Sequence, residues 1–197
     1  MICIEEIEKI LKNELSEERF FHTLGVKDCA IELAKKYNYD PKKAEIAGLL
    51  HDNAKCMSND ELRKFIDENI KDIDKNELKN YKTLHAPVGA YLAKSRYKID
   101  DVEILSSIRW HTLGKIEMSL LEKIVFLADK IEKNTRDLEY RNQILKILDD
   151  NKGELGLNLA LLRCFEETIK SLVNRKLYIC KTTIDVYNWL LEATKID

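Results

Sequence analysis

Ala47-Gly48-Leu49-Leu50-His51-Asp52-Asn53-Ala54-Lys55 is the stretch on which the reading of this chain turns, because it ends an apolar helical run with a His-Asp doublet. Ala44 and Ala47 share a face with His51, and Gly48 sits one turn before both His51 and Asp52. Small residues there thin the helix where neighbouring elements must come close. Adjacent positions on a helix diverge by about 100 degrees, so His51 suits one metal ion and Asp52 can lean between two.

The other three histidines fall in order around this doublet. His22 lies on the stripe Val26, Cys29, Ala30 and Leu33, reached in steps of three or four, and so faces the core side of its helix. His85 heads the stripe Val88, Gly89 and Leu92, with Thr83 as the expected cap and Pro87 tolerated in the first turn. His111 closes a face containing Ile104 and Ile108, after which Thr112-Leu113-Gly114 should break the helix at a pocket mouth. Asp129 ends the apolar run Ile124 to Ala128, where an unpaired carboxylate would be expensive to bury. Any one of these histidines alone is more often a hydrogen-bonded core residue. Together, His22, His51, Asp52, His85, His111 and Asp129 predict a shared dinuclear metal site, with a mononuclear site as the fallback. Four nitrogens and two carboxylates suit iron, manganese or another transition metal better than magnesium, which prefers oxygen.

Lys55 falls four residues after His51 and three after Asp52, so a continuing helical turn would aim its ammonium at the same site. Asp52 and Lys55 are therefore the expected catalytic pair, the carboxylate bridging metals and the lysine stabilising an anionic substrate. Arg19, three residues before His22, could reach such an anion in the same way.

The fold expected from the pattern is all-α. Only two prolines and six glycines occur in 197 residues, apolar residues recur at helical spacing, and alternating strand patterns are absent. Ser16 starts a helix reaching about Tyr37, Asp40-Pro41 forms an N-cap with a first-position proline, and Ser58/Glu61 and Ser119/Glu122 form capping boxes. Lys71 to Lys82 reads as a loop or short helix. The expectation is one domain over residues 1–197, its ligand-bearing core spanning about 16–136 and structural helices filling 137–197. Lys170, Arg175, Lys176 and Lys181 read as dispersed surface charge.

Composition excludes several classes. A net charge of -2 gives no global attraction for DNA or RNA, and no run approaches the roughly 18 apolar residues of a membrane span. The N-terminus lacks a basic region followed by an apolar run, and the five cysteines are odd in number with no Cys-x-x-Cys pair. A cytoplasmic protein with reduced thiols is expected, and exposed apolar helical faces leave homodimerisation open.

Arg19-Phe20-Phe21-His22-Thr23-Leu24-Gly25-Val26, the His51-Asp52 stretch, Leu84-His85-Ala86-Pro87-Val88-Gly89-Ala90, Ile108-Arg109-Trp110-His111-Thr112-Leu113-Gly114 and Leu127-Ala128-Asp129-Lys130-Ile131-Glu132 together resemble the HD-domain phosphohydrolases. More closely, the set resembles the YqeK family of bacterial symmetrical diadenosine tetraphosphatases. That resemblance implies a helical HD-domain bundle, a di-iron centre, and hydrolysis of diadenosine tetraphosphate to two ADP by a hydroxide generated at the metals. By position it implies that His22, His51, Asp52 and Asp129 hold one metal while Asp52 bridges to a second held by His85 and His111. It implies Arg19, Lys55, Arg109, Thr112, Gly114, Lys115 and Arg136 as substrate contacts. The alternatives are an HD-fold di-iron oxygenase, which uses a comparable shell, and a noncatalytic nucleotide-binding sensor, since binding and catalysis share cations.

Overall fold

The structure is a computed structural model that describes residues 3–195. Ten α-helices and no strand occur among the described residues: α1 (Ile4–Glu14), α2 (Glu17–Lys36), α3 (Pro41–Leu50), α4 (Asn59–Asn69), α5 (His85–Ser95), α6 (Val102–Trp110), α7 (Leu120–Ile131), α8 (Leu138–Asp150), α9 (Gly153–Asn174) and α10 (Lys181–Ala193). Their starts lie where the side chains can satisfy orphan N–H groups. Ser16 accepts from the Arg19 amide, Asp40 from the Lys42 amide ahead of Pro41, and both predicted capping boxes are formed. Asp101 and Asp137 cap α6 and α8 in the same way.

The expected Thr83 cap is not formed. Two 3-10 turns, Glu77–Lys79 and Tyr81–Thr83, occupy the polar stretch, and the Thr83 hydroxyl donates backward to the Asn80 carbonyl at 2.8 Å. Leu84 takes the cap position with helical dihedrals, so the turn runs directly into α5 and no side chain stops it.

α7 is the centre of the molecule. Ten of its twelve residues are buried, including the polar Glu122, Lys123 and Asp129, and a helix covered on all sides must lie inside the others. α2, α6, α8 and α9 pack on it, α3 lies against α2, α6 and α7, and α10 closes over α9. One apolar cluster runs from Ile7 of α1 to Leu190 of α10, with Phe126 of α7 stacked on Phe165 of α9 at 4.9 Å. A smaller cluster, Ala54, Leu62, Ile66, Leu84 and Val88, seats α4 on α5. No helix of the described residues is long and apolar enough to cross a membrane.

The approach of α2 to α3 positions the site. Ala44, Ala47 and Gly48 are buried, and a Cβ on Gly48 would lie 2.9 Å from the Lys27 Cα. Only glycine lets the two backbones come this close. Gly89 does the same on α5, where a Cβ would lie 3.0 Å from Asn53 Oδ1. Asn53 donates to the Gly89 carbonyl at 3.0 Å and ties the His51-Asp52 turn to α5.

Candidate metal centre

α3 ends at Leu50, so the doublet is not inside a helix as expected. Residues 51–57 form tight turns with bonds from Asn53, Lys55 and Met57 amides to carbonyls three residues back. Residues three apart eclipse in such turns, so Lys55 still faces Asp52, with Nζ 4.0 Å from Oδ1.

His51 and His111 are built alike. Each follows the last residue of a helix, and its ring Nδ1 donates at 2.7 Å to the carbonyl three residues earlier, Gly48 and Ile108 respectively. These carbonyls lack partners at a helix end, and satisfying them with imidazole leaves each Nε2 free to face inward. Asp129 lies in the last turn of α7, so α3, α6 and α7 all direct their carboxyl ends at one point. The partial negative charge of those ends favours a cation there.

The six predicted residues converge. His22, His51, His111 and His85 stand in a row with ring centroids 5.3, 5.1 and 5.1 Å apart. His22 Nε2 lies 3.1 Å from Asp129 Oδ1, and the two oxygens of Asp52 divide the row. Oδ2 is 3.4 Å from His51 Nε2 and 4.0 Å from His22 Nε2, whereas Oδ1 is 3.0 Å from His85 Nε2 and 3.5 Å from His111 Nε2. Donor atoms of His22, His51 and Asp129 all lie within 4.8 Å of one another, as do those of His51, Asp52 and His111.

All six side chains are buried, yet His51 Nε2 and Asp52 Oδ1 make no hydrogen bond of acceptable geometry. Orphaned buried polar atoms of this kind cost stability unless something between them supplies the missing partner. Imidazole nitrogens and carboxylate oxygens at these distances fit a divalent metal. The electrostatics agree with that use. Burial drives His111 down to about 4 and, against the opposing Asp52 charge, lowers His85, so both rings stay neutral with lone pairs free. Burial likewise disfavours protonated His51, but Asp52 and Asp129 outweigh it and raise that group. Burial pushes the Asp52 carboxyl up, and the surrounding histidines overcome this to hold it well below the usual range. For Asp129 the overcoming charges are Lys130 and Arg136.

Four cations rim the cluster. Arg19 Nη1 lies 2.8 Å from Asp52 Oδ2, Lys130 Nζ 2.8 Å from Asp129 Oδ2, and Arg136 Nη2 2.8 Å from Asp129 Oδ1. Lys55 is the fourth, with Nζ 3.2 Å from His85 Nε2 and its pKa lowered by burial despite Asp52. Their side chains are 26 to 34% exposed, which leaves each within reach of solvent and of the buried carboxylates.

None of the remaining predicted contacts is paired with a residue of the cluster. Arg109 donates to Glu77 at 2.6 Å and lies over the Trp110 ring, and Lys115 pairs with Glu122 at 2.9 Å. Thr112 Oγ1 is buried without a partner. Gly114 has φ +67 and no room for a Cβ, which would lie 2.7 Å from Phe165, so its role is to make the turn. Two residues were missed from sequence, Lys130 and Glu132. Both lie in the quoted stretch around Asp129, but the helical spacing gave no reason to place them beside it. Glu132 is fully buried and touches His22 Nδ1 at 3.1 Å. Burial pushes its carboxyl up, and bonds from Thr135 and His22 more than reverse the effect.

Comparison with known proteins agrees with this centre. The HD domain family matches residues 19–134, which contain all six residues of the cluster. The symmetrical bis(5'-nucleosyl)-tetraphosphatase of Bacillus subtilis (strain 168) is 36% identical over 96% of this chain and 98% of its own. The protein of the same name from Halalkalibacterium halodurans is 39% identical over 95% and 96%. A crystal structure from Clostridium acetobutylicum, described as a predicted HD superfamily hydrolase involved in NAD metabolism, superposes with a TM-score of 0.90 at 36% identity, covering 98% of this chain and 99% of that one. The chain thus belongs to the HD-domain family and, within it, to the family of the symmetrical bis(5'-nucleosyl)-tetraphosphatases.

Proposed function

We propose that this protein is a metal-dependent phosphohydrolase that adds water across diadenosine tetraphosphate to release two ADP. The observation that carries the reading is the pairing of a buried His/Asp cluster with four cations at its rim, in a chain whose relatives are named for this activity. In this reading the whole chain, 1–197, works as one unit. The curated relatives named as hydrolases give no support to the oxygenase or sensor alternatives.

His22, His51, Asp52 and Asp129 would hold one metal, and His85 and His111 would hold a second that shares Asp52, with iron as the leading choice. Bound metals supply water acidified for attack and polarised phosphoryl oxygens. Asp52 is suited to sharing because its two oxygens already face opposite halves of the imidazole row. Arg19, Lys55, Lys130 and Arg136 bind the polyphosphate. While Asp52 and Asp129 are uncompensated, these cations neutralise them; with the carboxylates otherwise engaged, the same ammonium and guanidinium groups turn to phosphate. Their contribution grows as the leaving ADP gains charge, which is where a preorganised cation accelerates the reaction. Arg109, Thr112, Gly114 and Lys115 shape the neighbouring wall, with Arg109 and Lys115 committed to Glu77 and Glu122. A cytoplasmic setting suits the free cysteines. The cations gather at one mouth on a chain of net charge -2, which favours a small anion over DNA or RNA.

The test is an assay of metal-reconstituted protein against diadenosine tetraphosphate, GTP, guanosine tetraphosphate and cyclic dinucleotides, with products separated by chromatography. Two ADP per diadenosine tetraphosphate is expected. Cleavage confined to the cyclic compounds, or release of ATP with AMP, would refute the assignment.

A further inference from the structure

The four histidines are not held alike. The Nδ1 atoms of His51 and His111 bond to neutral backbone carbonyls, and His85 has Lys55 Nζ against both of its nitrogens, at 3.3 and 3.2 Å. Among the four, only His22 has a carboxylate at Nδ1: that atom lies 3.1 Å from Glu132 Oε1 and 3.2 Å from the Thr135 hydroxyl, while Nε2 faces Asp129 at 3.1 Å. Glu132 is itself fixed. It accepts from the amides of Asn134 at 2.5 Å and Thr135 at 3.0 Å, and from the Thr135 hydroxyl, and its side chain is 0% exposed.

A carboxylate this deep must have been given room. A Cβ on Gly25 of α2, one turn after His22, would lie 2.2 Å from Glu132 Oε2 and 2.9 Å from Asn134 Nδ2. Gly25 therefore opens the face of α2 through which the turn after α7 reaches back to His22. Asn134 closes the same contact from the other side, donating to the Phe21 carbonyl at 2.8 Å.

We infer that Glu132 is a positioning residue for metal binding: it holds a proton on His22 Nδ1 and directs Nε2 inward. A carboxylate behind a metal-bound histidine sets ring orientation and raises ligand basicity, and its loss costs about 10- to 100-fold in affinity. The inference rests on the reading of the cluster as a metal centre, and Gly25 and the 132–135 turn are the parts of the chain that exist to serve it.

The experiment has two arms. In the metal-free protein labelled with nitrogen-15, ring proton–nitrogen correlation spectra report each tautomer directly. His22 should carry its proton on Nδ1 in the wild type and lose that preference in Glu132→Ala. A wild-type His22 with no proton on Nδ1 overturns the inference even if no variant folds. In the second arm manganese affinity is measured by competition with a chelator. Glu132→Gln keeps the volume and an acceptor but drops the charge, and should weaken binding about 10-fold, with Glu132→Ala nearer 100-fold. In a His22→Ala background Glu132→Gln should change nothing further, which a residue of merely structural importance would not satisfy. Affinity within twofold of wild type in folded Glu132→Gln and Glu132→Ala overturns the inference and leaves the metal reading intact. Failure of the wild type to bind metal at all would instead remove the metal reading itself.

Discussion

Replacing Gly48 with alanine tests the link between helix packing and the metal centre. An added Cβ would sit 2.9 Å from Lys27 Cα, 3.2 Å from Lys27 N and 3.2 Å from the Val26 carbonyl oxygen. Ordinary contact begins near 3.4 Å, so the α2 backbone must retreat by about 0.5 Å, the difference between 3.4 and 2.9. Every atom in the way is backbone and none can rotate aside. Overpacking of this kind costs about 1–3 kcal/mol, and the better helix propensity of alanine returns at most about 1 kcal/mol. With the full return the net loss is about 0–2 kcal/mol, which lowers the melting temperature by up to about 8 °C in a chain of this size. The displaced helix carries His22, while Gly48 itself supplies the carbonyl that orients His51. Opening that pair should cost turnover on the order of 10-fold, since a misplacement of about 1 Å can cost 100-fold. Calorimetry of the chelated protein and steady-state kinetics of the metal-loaded protein read the two effects. A melting temperature equal to or above wild type, with unchanged turnover, would refute the close approach on which the site is built.

Two further outcomes are expected. Asp52→Ala should abolish metal binding and activity together, whereas Lys55→Ala should keep its metal content, measured by elemental analysis, and lose turnover on the order of 100-fold; equal turnover would remove Lys55 from the chemistry. In the metal-free protein His111 is neutral down to about pH 4, while in the unfolded chain it takes up a proton near 6.5. Between those values the unfolded state binds more protons, so stability falls as pH falls, by about 2 kcal/mol from this group at pH 5. Denaturant titration at pH 7.5 and pH 5 should show a larger acid loss in wild type than in His111→Asn, a comparison that cancels the opposite contribution of His51. An identical loss in both proteins would count against a neutral buried His111.

The helices and the six-residue cluster were legible because both are written in local chemistry. Ser16, Asp40, Ser58 and Ser119 can satisfy the amides two or three residues ahead whatever the rest of the chain does, and each starts a helix. The inward stripes of His22 and His111, and the apolar run ending at Asp129, follow from a fixed helical period, so burial of those groups could be predicted before any packing was known. Thr83 misled because a residue that suits a cap also suits a 3-10 turn, and the choice depends on where the preceding chain comes from.

What only the tertiary structure decided is which charge meets which. Arg136 and Lys130 converge on Asp129 and Arg19 on Asp52, while Arg109 is taken by Glu77 and Lys115 by Glu122. Long cationic side chains reach any carboxylate within several ångströms, and their sequence positions do not record the angles between helices. The order of the imidazole row and the burial of Glu132 behind His22, 110 positions away in the chain, follow from the same packing. Sequence by itself determined that these groups would lie on or at the end of helices, face inward and be capable of holding a metal, since those properties reside in single helices and their ends; the partner of each charge was set only when the helices closed on one another.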